Sequence, residues 1–323
     1  MSLRILGNQA LDAFLGAPVG AARRLTGGAS RETWAIDAGA ARLVLRADLG
    51  GEILEGALSR ADEFAVLQAA HGAGVRVPRP IALGADASVL GVPFFVMERL
   101  EGESVGRRIV REPALEESRR RLPAQMGEQL ARIHALPPLA FLPRPDAGQS
   151  PALFALAQAS SQLARAAEPH PVLAYALRWL RARTPASPTV LVHGDFRIGN
   201  MMVGAEGLAG VFDWEFCHLG DPHEDLAWPC VKAWRFREDA KRFGGVGDPE
   251  EFFAAYERLS GRTVDRSAVR FWEVVGNLRW AVGCIAQADR HLSGAAPSVE
   301  LASLGRRTCE MERELLDLIE ATP

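Results

Sequence analysis

Three side chains restrict this chain more than anything else in it. Asp195 follows the strand-like run VLVHG, Asn200 comes five residues later to close HGDFRIGN (193–200), and Asp213 follows a second strand-like run, GVF, to begin the sequence DWE. Runs this short and apolar, Val190 to Val192, Met201 to Val203 and Val211 to Phe212, read as an island of strands with polar residues at their ends. An isolated Asp or Asn is ordinarily a turn or cap residue. The joint spacing sets these three apart.

Phosphoryl transfer needs such a set: a carboxylate at the attacking hydroxyl, oxygen ligands for Mg2+, and cations on the phosphates. The five-residue interval from Asp195 to Asn200 equals that of the protein-kinase catalytic loop, H-R-D-x-x-x-x-N, in which the Asp takes the hydroxyl proton and the Asn holds Mg2+. A third block, GDPHEDLA from Gly220 to Ala227, follows within 35 residues of His193. With these blocks in this order, the sequence resembles the aminoglycoside phosphotransferase and choline-kinase-like family of small-molecule kinases. The form HGDFRxGN with DWE is most similar to the branch that includes kinase domains fused to acyl-CoA dehydrogenases.

The resemblance implies an α+β, bilobal, protein-kinase-like fold and an ATP- and Mg2+-dependent kinase with an alcohol acceptor. It makes Asp195 the catalytic base, Asn200 and Asp213 the Mg2+ ligands, and Asp225 a buried support for the backbone of the catalytic loop. His193 would orient that loop. Arg197, two residues after the base, is a candidate for spreading charge stabilisation over the transferred phosphoryl oxygens. Glu215 is left between a water-mediated Mg2+ contact and a pair with a neighbouring arginine.

The 323 residues exceed the usual size of one compact core, which favours two lobes sharing a cleft. Residues 1–100 read as a small β-rich nucleotide-binding lobe. Strand-like runs occur at Thr33 to Ile36, Ala41 to Leu45 and Pro93 to Met97, with one main helix from Leu58 to His71 and an extended, proline-set Val77 to Leu83. Residues 101–323 read as a mainly helical catalytic and acceptor-binding lobe, with helices at Glu116 to Ala135 and Pro171 to Arg183 and a proline-rich surface loop from Pro137 to Pro151.

A kinase-like first lobe also needs a phosphate cover, a cation and a carboxylate to hold that cation. LTGGASRETW offers Gly27, Gly28 and Ser30 on a turn between strands, without a G-x-G-x-x-G pattern. The family places a Lys at the end of the next strand; here it is Arg46, which keeps the charge and adds a planar fork suited to phosphate. Its expected partner is Glu63. Backbone groups around Glu98 and Leu100, at the hinge between lobes, are the expected edge of the adenine site.

The charge balance, 37 basic against 40 acidic residues for a net −3, gives no field for holding a nucleic acid. Four scattered cysteines suggest neither a zinc site nor a disulfide framework, and no apolar stretch reaches bilayer length, so a cytoplasmic enzyme is expected. Between Lys232 and Arg290, eleven basic residues face nine acidic ones, which favours a neutral or anionic acceptor over a polycationic antibiotic. A hydroxyacyl-type acceptor, suggested by the branch, stands beside aminoglycosides, amino alcohols and sugars, and a catalytically inactive nucleotide-binding module is the alternative of a different class. Trp272 and Trp280 read as core residues, and Asn277 with Trp280 is the candidate acceptor wall.

Overall fold

The computed structural model describes residues 3–25, 31–48 and 56–322. A short helix, α1 (Gln9–Leu15), begins where the Asn8 side chain accepts the Leu11 N–H at 3.1 Å and ends at Gly16 in the left-handed region. Five strands follow, β1 (Val19–Leu25), β2 (Arg31–Ala38), β3 (Ala41–Asp48), β4 (Pro80–Gly84) and β5 (Phe94–Glu98), in an antiparallel sheet of order β1-β2-β3-β5-β4. Helix α2 (Arg60–Gly72), capped by the Ser59 hydroxyl on the Asp62 N–H, lies between β3 and β4 in the chain.

Alternation along the strands decides what each face meets. Leu43, Leu45, Phe94 and Val96 pack with Leu11 of α1 on one side of the sheet. Val44, Phe95 and Met97 point to the other side, joining Phe64 and Leu67 of α2 in a core that continues through the rest of the molecule. Arg46 and Asp48 share the parity of Val44, so β3 delivers both to the α2 face. Arg46 lies directly across from Phe95 in the register.

The remainder is mainly helical: α3 (Gly106–Arg111), α4 (Glu116–Ile133), α5 (Pro151–Leu163), α6 (Pro171–Arg181), α7 (Pro222–Ala227), α8 (Pro249–Ser260), α9 (Arg266–Leu292), α10 (Val299–Gly305) and α11 (Thr308–Glu320). Two small ribbons interrupt it, β6 (Val190–Val192) with β9 (His218–Gly220), and β7 (Met201–Gly204) with β8 (Gly207–Val211). Helices α4 and α8 approach closely at Gly127, where a Cβ would stand 2.4 Å from the Phe252 carbonyl oxygen. The first strand, VGAARRL, was not expected; its small and basic residues give no period-two apolar signal, and β2 supplies its pairing.

Backbone bonds tie the sheet region to the ribbons. Leu58 N–H reaches the Glu215 carbonyl at 2.7 Å and Val211 N–H the Arg76 carbonyl at 2.8 Å, while Glu103 and Val203 exchange two bonds of 2.9 Å. The segment after β8 is thereby held against the start of α2.

Candidate active site

The loop after β6 is held from behind by one buried carboxylate. Asp225 of α7 accepts the backbone N–H groups of His193 and Gly194 at 2.6 and 2.9 Å, and His134 Nε2 lies 3.2 Å from the same group. Gly194 turns the chain at φ 79°, and a Cβ there would lie 2.2 Å from the Phe216 carbonyl oxygen. The His193 ring accepts the Asp195 N–H at Nδ1, 3.2 Å away, which leaves Nε2 to carry the proton of the neutral ring. Burial pushes its pKa down, against the pull of Asp225, Asp195 and Asp213. His193 thus shapes the loop as a neutral group.

Asp195 emerges from that turn with its side chain fixed at both oxygens. Oδ1 accepts Arg197 Nε at 3.0 Å and the Trp228 indole N–H at 2.6 Å; Oδ2 accepts Asn200 Nδ2 at 2.6 Å. The same Asn200 amide nitrogen donates to the Asp195 carbonyl at 2.9 Å. Both donor bonds of Asn200 therefore end on Asp195, and the amide oxygen remains as the end suited to a cation. Arg197 is clamped on its other face, its guanidinium carbon 4.3 Å from the centre of the Trp234 ring.

Asp213, just past β8, has φ 72°, a left-handed conformation that a residue with a Cβ seldom adopts. Its Oδ1 accepts Arg46 Nη2 at 2.7 Å, while Arg46 Nη1 reaches Glu63 at 2.9 Å. Burial works against a charged Asp213, yet the charge and hydrogen bond of Arg46, with the charge of Arg197, outweigh it and hold the carboxyl below its usual range. Arg46 responds in kind: burial disfavours its charge, and Glu63 and Asp213 more than compensate, so its pKa is raised.

A second guanidinium, Arg60, shares the cluster and was not anticipated. It contacts Glu63 at 2.5 Å and Asp48 at 3.1 Å, and lies 3.9 Å from Glu215, the same distance that separates Glu215 from Arg46. Burial lowers its pKa and the Arg46 charge adds to that, against Glu63 and Asp48. Two guanidinium groups stand here against four carboxylates, Asp48, Glu63, Asp213 and Glu215, an excess of two negative charges among the described residues. That excess and an all-oxygen donor set of Asp213 and the Asn200 amide fit a hard divalent cation such as Mg2+. Of the two contacts expected for Glu215, the arginine pairing is present, to Arg46 and Arg60 alike.

Of the sequence candidates, Asp195, Arg197 and Asn200 form one hydrogen-bonded group, and Arg46, Glu63 and Asp213 another. Glu98 ends β5 opposite Leu43, and Leu100 packs so closely on β8 that a Cβ at Gly210 would stand 2.3 Å from its methyl group. Gly27, Gly28 and Ser30 lie outside the described residues. The acceptor wall is corrected in part. Asn277 is fully buried, donating to the Glu273 carbonyl at 2.8 Å and accepting the Lys232 N–H at 3.3 Å, so it joins α9 to the segment before it and lines no surface. Trp280 is partly exposed and meets Trp234 edge-on, ring centres 4.6 Å apart. Trp228, 33 residues from Asp195, gave no sequence signal; Arg60 did, standing one helical turn before Glu63 on the α2 face that meets β3.

Residues 21–272 match the model of the phosphotransferase enzyme family. The chain belongs to that family. Among curated relatives, the chain is 32% identical over 244 residues to acyl-CoA dehydrogenase family member 10 of Mus musculus, covering 71% of this chain and 23% of that protein. It is 29% identical over 286 residues to acyl-CoA dehydrogenase family member 11 of Homo sapiens, covering 80% and 35%. The chain spans between 23% and 35% of the length of these two relatives.

Solved structures share its fold. A Ralstonia eutropha protein classed with the aminoglycoside phosphotransferases superposes with a TM-score of 0.79 at 22% identity, over 99% of both chains. A choline/ethanolamine kinase family protein from Mesorhizobium loti gives 0.63 at 19% identity over 94% and 89%. Spectinomycin phosphotransferase, solved with ADP and spectinomycin, gives 0.62 at 14% identity over 100% and 98%. The α+β, protein-kinase-like architecture expected from the motifs is the architecture of this chain.

Proposed function

We propose that this phosphotransferase moves the γ-phosphoryl group of ATP to the hydroxyl of a small metabolite, with Asp195 as the base. The observation that carries the reading is the restraint on the Asp195 carboxylate. Four lone-pair directions are available on its two oxygens, and three are taken by Arg197, Trp228 and Asn200. The open one is on Oδ2, so an acceptor hydroxyl donates there as its oxygen attacks phosphorus; the proton passes to Asp195 and the bond to ADP breaks.

Arg197, held between Asp195 and Trp234, supplies charge to the equatorial phosphoryl oxygens. Arg46, positioned by Glu63, supplies it to the phosphates on the nucleotide side, with Gly27, Gly28 and Ser30 as the proposed cover and the backbone near Glu98 and Leu100 as the adenine edge. Asn200 and Asp213 would hold Mg2+, which when bound neutralises phosphate charge as the β–γ bridge breaks. A structural relative solved with ADP supports the nucleotide assignment.

For the acceptor, we infer an anionic hydroxyacyl thioester, such as a hydroxyacyl-CoA. Beside Asp195 stand Trp228 and Trp234 with Arg197 and Arg279 over their rings, both arginines partly exposed while paired with Asp195 and Glu224, a setting that favours an anion over a polycation. The acyl-CoA dehydrogenase name of the curated relatives points the same way. The test is a library of alcohols containing short and medium-chain hydroxyacyl-CoAs, choline-like amino alcohols and aminoglycosides, assayed for Mg2+-dependent transfer from ATP. Transfer confined to the thioesters is the expected outcome; transfer to aminoglycosides and not to the thioesters overturns the acceptor assignment.

A further inference from the structure

Residue Trp228, directly after α7, is bonded to the proposed base. Its indole N–H, 2.6 Å from Asp195 Oδ1, is the shorter of the two bonds to that oxygen. The torsion of a carboxylate about its last bond is broad and roughly two-fold, so the side chain does not by itself choose which oxygen faces an acceptor. Two donors on Oδ1 and one on Oδ2 make that choice.

The indole is held as firmly as it holds. It is 8% exposed, and its six-membered ring lies over Gly276 of α9, where a Cβ would be 3.3 Å from Cε3. Trp234 packs beside it, with ring centres 5.6 Å apart. The Arg279 guanidinium sits over its face at 5.3 Å from the ring centre and is itself paired with Glu224. Glu224 also takes His218 Nε2 at 3.1 Å, and His218 Nδ1 lies 2.9 Å from the Phe216 carbonyl. Neighbouring residues of α7 thus serve the loop in two ways: Asp225 fixes its backbone, and Glu224, through Arg279 and Trp228, fixes its carboxylate.

We propose that Trp228 is a positioning residue for phosphoryl transfer, its indole N–H orienting the Asp195 carboxylate so that Oδ2 meets the acceptor hydroxyl. The inference rests on the phosphotransfer reading above. A packing role alone predicts that any flat apolar ring serves at this position. An orienting role predicts that the N–H itself is needed.

The test uses the full chain with 15N-labelled tryptophan. The Trp228 indole proton, assigned by its loss in Trp228→Phe, is expected to be the farthest downfield of the seven indoles and to move upfield in Asp195→Asn. In kinetics with the acceptor found for the wild type, Trp228→Phe is expected to lower kcat about 10- to 100-fold, the range for removing a hydrogen bond to a charged group, with nucleotide affinity within about two-fold. Replacing Trp228 with benzothienylalanine, which keeps the ring shape and lacks the donor, is expected to match Trp228→Phe and removes folding as a cause. An indole resonance insensitive to Asp195→Asn, or wild-type kcat in the benzothienylalanine protein, overturns the inference. A wild type with no Asp195-dependent transfer to any alcohol overturns the phosphotransfer reading instead, and is recognised before any Trp228 variant is made.

Discussion

Arg46 on β3 and Asp213 after β8, 167 residues apart in sequence, meet at 2.7 Å, and Glu63 of α2 holds the opposite edge of the same guanidinium. One side chain therefore joins the sheet, its helix and the segment that follows β8. Removing it takes the arginine partner from Asp213 and leaves Glu63 with Arg60 alone. Arg46→Met is expected to destabilise the fold by about 3 kcal/mol, since breaking a buried pair leaves an uncompensated charge. It should also raise the KM for ATP at least about ten-fold. Urea unfolding and nucleotide titration check the two effects, and Arg46→Lys, which keeps charge without the fork, should fall between them.

Gly194 has no tolerance for a side chain. At φ 79° a Cβ is unfavourable by roughly 1–2 kcal/mol before contacts are considered, and here it would also strike the Phe216 carbonyl oxygen. Gly194→Ala is expected to cost about 2 kcal/mol or more in equilibrium unfolding and to reduce transfer strongly. The His193 and Gly194 N–H bonds to Asp225 cannot both survive the shift it requires.

The Glu224 and His218 pair gives stability a pH dependence of known sign. Burial disfavours the charged Glu224, but His218 and Arg279 outweigh it and pull its pKa from 4.5 down to about 2; burial likewise opposes a charged His218, and Glu224 raises its pKa above 6.5. A depressed carboxyl contributes stability above its unfolded value that is lost as pH falls through its folded value. A raised histidine contributes stability below its unfolded value that is lost as pH rises through its folded one. The pair's contribution is fullest between about pH 4.5 and 6.5. The stability difference between wild type and His218→Gln, measured by urea unfolding, should therefore be larger at pH 5.5 than at pH 9.

How far such features can be read from the chain depends on how local they are. Asp195, Asn200 and Asp213 are legible because strand-loop spacing fixes them within a few residues. Arg46 and Glu63 follow from the order of strand and helix. Arg60 and Asp48 were within reach of the same reasoning: Asp48 shares the strand parity of Arg46, and Arg60 lies one turn before Glu63. Asn277 was misread because helical spacing gives a face but not its neighbour, and that neighbour is the Lys232 backbone. Trp228 depends on how α9 packs at Gly276 against the segment after α7, and no spacing within HGDFRIGN encodes that contact.

Asp195 carries the central claim, and Asp195→Ala measured beside the wild type tests it most directly. Nucleotide with Mg2+ should stabilise both proteins against heat to a similar degree, because the proposed role of Asp195 is toward the acceptor hydroxyl and not the nucleotide. Transfer to the acceptor found for the wild type should fall about 10²- to 10⁴-fold in kcat, the usual contribution of a positioned base. Equal kcat in the two proteins, with nucleotide bound to both, would contradict the account.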